Sequence, residues 1–598
     1  MPVFRVFLSI VILGGVLRLG VAGEPNAREL VAPGTALLVE VNRPTQLIDN
    51  PLARDVWGLI SETNGVKQAL SSPEVDRFRQ AARFVEKSLG VDWRTGIDRL
   101  TSGGIVVAIG PKRPDSEPVV TAIVTASDEQ ILKQFIDAVQ AEIRRAANPP
   151  GAPADKPGES APERKSPETA STEYRSFACQ RVGNGHFSVV GRRLIVSNAK
   201  SGLEAALDRL AGAATDKPFD PPQSLRMVDG AGKPPAILAT VNLKFIRSEP
   251  NAQAALTLPA NDPLPVLFLG GYVDLVRRAD FAAAGLFVDG PAHELKIRFP
   301  VGTEGAYQGL RGYFASETTE AAPPLLRPPG TIFTAGWFRD YKKLWDARSE
   351  LLNSELVAKL DADNAKAQSE GPKIGVADVV QIVGPHFRVV AAQQQESVYK
   401  IKVEERLPAF ALVVSVRDEG AFRQRIAPAI DSLLWLGLAS SNLGEVKPVE
   451  YRGAKINAVR FTEKPEFANS DKSTLYNFDP AYTLTRGQLI VGSTSEIVRH
   501  LIDELERQPA PPSAGMPERA TEHQELSLAG LGELLKVYQS RLTRAAVLHQ
   551  GLSPAEADQE IDSLYQVLKR LGDLTSRNLI SADHFEIDVR LGPAAEKP

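Results

Sequence analysis

Residues 118–136 read PVVTAIVTASDEQILKQFI, and residues 408–426 read PAFALVVSVRDEGAFRQRI. The two align without a gap at an offset of 290, with Asp128-Glu129 on Asp418-Glu419, Gln134 on Gln424 and Ile136 on Ile426. Each opens with an apolar, β-branched run, the composition of a buried strand. Each then passes through its acidic pair into apolar residues spaced three and four apart, the period of a helix. In the first stretch Ile131, Leu132, Phe135, Ile136, Val139 and Ile143 make the buried stripe, and Ser127 with Gln130 reads as a capping box. A strand-helix element written twice points to an internal repeat.

The similarity extends in both directions in the same order. Pro33-Gly34-Thr35 and Pro329-Gly330-Thr331 each open an apolar run, 296 positions apart, and Gly90-Val91 falls on Gly375-Val376 at 285. Glu173-Tyr174-Arg175 matches Glu450-Tyr451-Arg452 at 277, and Leu194-Ile195-Val196 matches Leu489-Ile490-Val491 at 295. Asp208 and Leu210 fall on Asp503 and Leu505, and Glu294–Arg298 matches Glu586–Arg590 at 292. The offset drops where the first copy carries the Pro-, Ala- and Ser-rich tract 147–172, expected to be a flexible loop. It rises where the second carries a polar insertion at 463–480. The expected organisation is a first unit at 24–320 and a second, its duplicate, at 321–598.

Periodicity supplies the elements. Ala36–Val41 is a strand after a Pro-Gly turn, and Pro73–Leu89 an amphipathic helix. Ile105–Ile109 and Val119–Thr125 form a strand pair. Strands near Ser188–Val190 and Leu194–Ser197 precede a helix at Leu203–Leu210. The rear of the unit has a strand-helix element at Ala236–Ile246, copied near Leu526–Tyr538. A hairpin follows, Ala284–Val288 turning at Asp289-Gly290 into Glu294–Phe299. That last strand alternates Glu294, Lys296 and Arg298 with Leu295, Ile297 and Phe299, which predicts one buried and one solvated face. The fold class expected is α+β: two tandem related units, each a mainly antiparallel sheet backed by helices on one face.

The N-terminus predicts where the chain goes. Arg5, the apolar run Val6–Leu17 and the small residues Gly20-Val21-Ala22 have the layout of a secretory signal over residues 1–23. The run is shorter than the ~20 residues of a membrane-spanning helix, so an extracytoplasmic protein with no transmembrane segment is expected after signal removal. The composition of the full chain is that of a globular protein: 43% hydrophobic, 24% charged, net charge −4. A near-neutral balance argues against nucleic acid as the ligand, and the single cysteine excludes an intramolecular disulfide.

Recognisable catalytic patterns are missing. There is no GxxxxGK[ST] loop, no GxGxxG after a strand and no GxSxG elbow. His293-Glu294 begins like HExxH, but Ile297 stands where the second histidine belongs, on a segment reading as a strand. The seven histidines are scattered singly. Asp361-Ala362-Asp363-Asn364 lacks the glycine and distal Glu of a calcium loop and reads as a solvated helix end. Cys179 reads as a small buried hydrophobe. The recurring acidic pairs suit the positive ends of helices. The pairs Arg144-Arg145, Arg192-Arg193, Arg277-Arg278 and Lys342-Lys343 read as solvated faces. Trp337, Phe338, Tyr341 and Trp345 crowd the start of the second unit; their spacing reads as core packing, with a ligand platform as the alternative. The matching segment near Val41–Leu47 has no aromatic residue, which hints at divergence between the copies.

This layout, an export signal followed by long strand-helix units opening on PGT-apolar runs, resembles secreted planctomycete-type bacterial proteins of unknown function. The resemblance implies an envelope or periplasmic role and carries no site residue. The expectation is a non-catalytic extracytoplasmic binding or scaffold protein of the bacterial cell envelope, without metal, cofactor or catalytic residues. Its partners would be an envelope protein or an apolar small molecule. The alternatives are a secreted hydrolase with no recognisable motif and a carrier of an apolar or lipid ligand.

Overall fold

The computed structural model describes residues 26–592 except 43–46, 48–49, 62, 64–65, 67–71, 113–115, 148–168, 230–231, 250–251, 254–255, 290–291, 303, 307, 315–320, 371–372, 404–405, 433–443, 468–470 and 508–518. The expected signal and most of the expected 147–172 loop lie outside the described residues. The ends of that loop are regular structure: Ala147 closes a helix and Thr169 opens a strand.

The chain forms two compact units, Met1–Glu249 with Asp280–Arg298, and Pro250–Ala279 with Phe299–Pro598. The described residues within 252–279 and 299–314, expected in the first unit, therefore pack with the second. Both units are α+β.

The first contains β1 (Leu37–Val41), β2 (Ile105–Ile109), β3 (Val120–Thr125), β4 (Thr169–Tyr174), β5 (Phe177–Val182), β6 (Gly185–Val190), β7 (Arg193–Ser197), β8 (Ile237–Asn242), β9 (Phe281–Asp289) and β10 (Ala292–Phe299). Their antiparallel order is β10-β9-β8-β1-β2-β3-β7-β6-β5-β4. Helices α1 (Pro73–Leu89), α2 (Trp93–Thr101) and α3 (Glu129–Ala147) bury Val85, Leu100 and Phe135 against Ile105, Val124 and Leu194. Helix α4 (Lys200–Leu210) buries Leu203 and Leu207 against Val106, Ile123 and Ile195, and the short α5 (Leu243–Ser248) follows β8. The central strands are thus covered on both faces, not one. Their unbroken apolar runs, such as IVVAI at 105–109, supply a buried side chain at successive positions on opposite faces.

The second unit contains β11 (Thr331–Phe338), β12 (Val383–Ala392), β13 (Ala409–Val416), β14 (Gly444–Tyr451), β15 (Ala454–Phe461), β16 (Ala481–Thr485), β17 (Gln488–Gly492), β18 (Arg519–Ser527), β19 (Asp573–Ile580) and β20 (Phe585–Gly592). The order is β20-β19-β18-β11-β12-β13-β17-β16-β15-β14, again antiparallel throughout. Adding ten to each strand number of the first unit reproduces it. The insertion at 463–480 is partly packed among the described residues, with Tyr476, Asn477 and Asp479 buried.

Local devices recur as well. Tyr174 closes β4 and donates to Asp208 on α4 at 3.0 Å, while Arg175 Nε reaches the same carboxylate at 2.5 Å. Tyr451 closes β14 and donates to Asp503 at 3.1 Å, and Arg452 Nε reaches it at 2.9 Å. Both arginines take the left-handed backbone of a tight hairpin turn, with φ of 48° and 47°.

The cap of α3 and the exposed face of β10 differ from what the sequence predicts. The cap of α3 is Asp128, not Ser127: its Oδ1 accepts from the Ile131 amide at 2.8 Å, and Asp418 Oδ1 accepts from Ala421 at 2.8 Å. A carboxylate outcompetes a hydroxyl for an amide in the field of a helix start. Asp128→Ala should therefore cost about 1 kcal/mol, measured by denaturant titration, whereas Ser127→Ala should cost little. In β10, Leu295 is exposed while Glu294 and Lys296 are half-buried. The Lys296 ammonium lies 5.5 Å from the centre of the Phe287 ring and 3.4 Å from Glu294, so its stem covers apolar surface.

Candidate functional site

An apolar cavity of about 200 Å³ opens within the second unit. Five helices build its wall: α6 (Pro263–Arg278), α8 (Tyr341–Asp346), α9 (Arg348–Leu351), α10 (Ser354–Ser369) and α11 (Val376–Ile382), with α7 (Gln308–Phe314) packed behind α6 and α8. Helix α6 starts where Asp262 accepts from the Leu264 amide at 2.9 Å and Pro263 pre-sets the first turn. Its first eleven residues, PLPVLFLGGYV, carry no charge. Val266 and Leu267 face the cavity. Leu264, Phe268 and Leu269 stay 57%, 63% and 53% exposed, so apolar surface continues around the helix. The Tyr313 hydroxyl donates to the Leu267 carbonyl and pins α6 from behind.

Asp340 caps α8, accepting from the amides of Lys342 and Lys343 at 3.1 and 3.3 Å, which aims Tyr341, Leu344 and Trp345 inward. Asn353 caps α10 through the Leu356 amide at 2.8 Å and places Leu360 in the wall. Val376 and Val380 of α11 complete it, Val376 being 54% exposed at the rim.

Arg348 is the charged residue of the wall. Its Nε and Nη2 donate to Asp361 Oδ1 at 3.0 and 2.9 Å, and Nη1 donates to the Trp345 carbonyl at 2.9 Å. Its guanidinium carbon lies 4.5 Å from the centre of the Trp345 indole, a cation–π contact that fixes the ring.

Elsewhere in this unit is a buried polar network. Arg339, just past β11, donates to Glu522 on β18. Tyr272 of α6 donates to Glu522 at 3.2 Å, and Asn578 of β19 donates to Tyr272 at 2.6 Å and to Glu522. Burial, reinforced by the Glu522 charge, pushes the Tyr272 phenol well above its ordinary value, so it stays a proton donor. One strand position along, His523 is held below its ordinary value of 6.5 by burial first and then by Arg577 and Arg327. A depressed folded value makes the histidine's contribution whole above pH 6.5 and lost as pH falls through that value. Thermal midpoints should fall between about pH 7.5 and 5, and His523→Gln should flatten that slope.

The sequence proposed no site residue, and its weaker signals are dispersed. Of the aromatic cluster, Tyr341 and Trp345 line the cavity. Trp337 stacks on Phe387 at 5.9 Å, and Phe338 is buried. Asp361–Asn364 lies inside α10, not at a helix end, with Asp361 paired to Arg348 and Asn364 accepting from the Ala377 amide at 3.0 Å. Arg193 and Arg278 are not solvated: Arg193 is buried on β7, and Arg278 binds Asp274 at 2.7 Å and the carbonyls of Gly302 and Glu304. Cys179 is buried on β5, and burial raises its thiol pKa. Ser581 and Asp583 both contact Nδ1 of His584, at 2.7 and 3.0 Å, whereas a catalytic relay needs them on opposite ring nitrogens. Among the described residues no group of three or more His, Cys, Asp or Glu could hold a metal, and no helix is long and apolar enough to cross a membrane. The wall residues Val266, Arg348, Leu360 and Val380 were missed, since they come from four helices that no local pattern joins.

No protein-family model matches the chain, and no curated protein matches it. Among solved structures, crystal form IV of TP0453 is similar over 47% of this chain and 82% of that one, at 12% identity and a TM-score of 0.23. Crystal form I matches over 48% and 82%, at 11% identity and 0.23. Likeness at this level carries no argument about fold or activity.

Proposed function

We propose that this is a non-catalytic binding protein of the bacterial cell envelope, built from a duplicated α+β unit, whose second unit holds an apolar ligand. The observation that carries the reading is the cavity. An apolar cavity of ~150 Å³ lined by Leu, Ile and Phe is enough to stay dry and bind benzene; this one is larger and opens at Val376. Duplication is supported by the shared strand order and the twin Tyr-Arg-Asp ties, and export by the residues at the N-terminus. Divergence of one copy into a ligand site fits the aromatic residues present at 337–345 and lacking near 41–47.

The test is to isolate the exported chain from its native host and extract it for mass spectrometry. An apolar compound at about one per chain, displaced by a hydrophobic fluorescent probe, is the expected result. An extract with no such compound, together with stripped protein that takes up no probe, would overturn the reading.

A further inference from the structure

Resting on the apolar-ligand reading above, we infer that the cavity takes an uncharged hydrocarbon group, a short alkyl chain or a single ring. In this arrangement Arg348 and Asp361 form a neutral wall and not an anchor for an anionic headgroup.

An arginine beside an apolar pocket is the usual receptor for a carboxylate, because its planar fork matches two oxygens. Here that role is already taken. The Nε and Nη2 edge of Arg348 is spent on Asp361 Oδ1, and Nη1 is directed at the Trp345 carbonyl. The guanidinium face lies on the Trp345 indole. The pair carries no net charge, and the Arg348 side chain is only 27% exposed. An incoming carboxylate would have to compete with a carboxylate held in place by α10. It would bring a second negative charge close to Asp361, a like-charge approach that the water at this half-exposed carboxylate only partly screens.

The other lining residues, Pro263, Val266, Leu267, Leu344, Leu351 and Val380 among them, offer hydrocarbon surface. Recognition therefore rests on size and apolarity. Each methylene that enters should raise affinity about 4-fold, and the gain should stop when the 200 Å³ is full.

The experiment titrates the full chain, stripped of bound molecules, with n-alkanols from butanol to decanol and with the carboxylates of equal length, by calorimetry near neutral pH. Alkanol affinity should climb about 4-fold per carbon to a plateau, with no carboxylate binding more than about threefold tighter than its alcohol. A carboxylate preference beyond threefold would overturn the inference while leaving the apolar-ligand reading standing. Failure of both series to bind would remove that reading and the inference with it. Asp361→Asn keeps an acceptor for Arg348 but unmasks its charge, and octanoate should then gain at least about 5-fold over octanol. An unchanged ratio in a folded Asp361→Asn protein would show that Asp361 does not set the neutrality, and would equally overturn the proposal. The wild-type comparison decides the matter if that variant fails to fold.

Discussion

Glu522→Ala is expected to lower the unfolding free energy of the second unit by about 3–5 kcal/mol, the usual cost of removing one partner from a buried ion pair. Arg339 is 6% exposed and loses the carboxylate that faces it, while Tyr272 and Asn578 lose their common acceptor. Glu522→Gln separates charge from shape: it keeps an acceptor but not the charge, and should recover part of the loss. Denaturant titration followed by near-ultraviolet circular dichroism measures both. An alanine variant within about 0.5 kcal/mol of wild type would mean that the network does not hold α6 to the sheet.

Leu344→Trp should leave the fold intact and abolish ligand uptake. Leu344 lies on α8, across the break at Ala347 from Arg348 on α9, and lines the cavity, so an indole there occupies the space the ligand would use. Enlarging a well-packed core residue costs about 1–3 kcal/mol, but this side chain grows into empty volume, so the thermal midpoint should hold or rise. Apolar-probe affinity should drop at least 30-fold, about 2 kcal/mol. Unchanged affinity in a folded Leu344→Trp protein would place binding elsewhere.

The elements were largely legible because periodicity reports burial directly. Helix α1 spans Pro73–Leu89 as expected, and β2 pairs antiparallel with β3. The run at 105–109 also held the clue to coverage of both faces, since a strand apolar at consecutive positions has no side for water. Long-range partners were not legible. Nothing within residues 263–278 says that the helix packs beside Leu310, Tyr313 and Leu351 instead of on the sheet of the strands flanking it in sequence. The cavity was hidden for the same reason: its wall draws on five helices between residues 263 and 380. Only the aromatic crowding at 337–345 marked the place, and Trp345 proved to be a wall residue while Trp337 stayed with the sheet. Arg348 and Asp361 lie thirteen positions apart on separate helices, so their pairing left no spacing rule to find.

The detour of residues 250–279 into the second unit bears on how the chain acquires its shape in time. Asn578 meets Tyr272 across 306 positions, and Phe585 closes over the same tyrosine ring. Loop-closure entropy rises only with the logarithm of length, so equilibrium is little affected, but contacts this distant slow the search. During synthesis, α6 emerges long before β19 and β20 exist. The part of α6 around Tyr272 must wait for those last strands, which makes that interval the one in which a chaperone has most to protect.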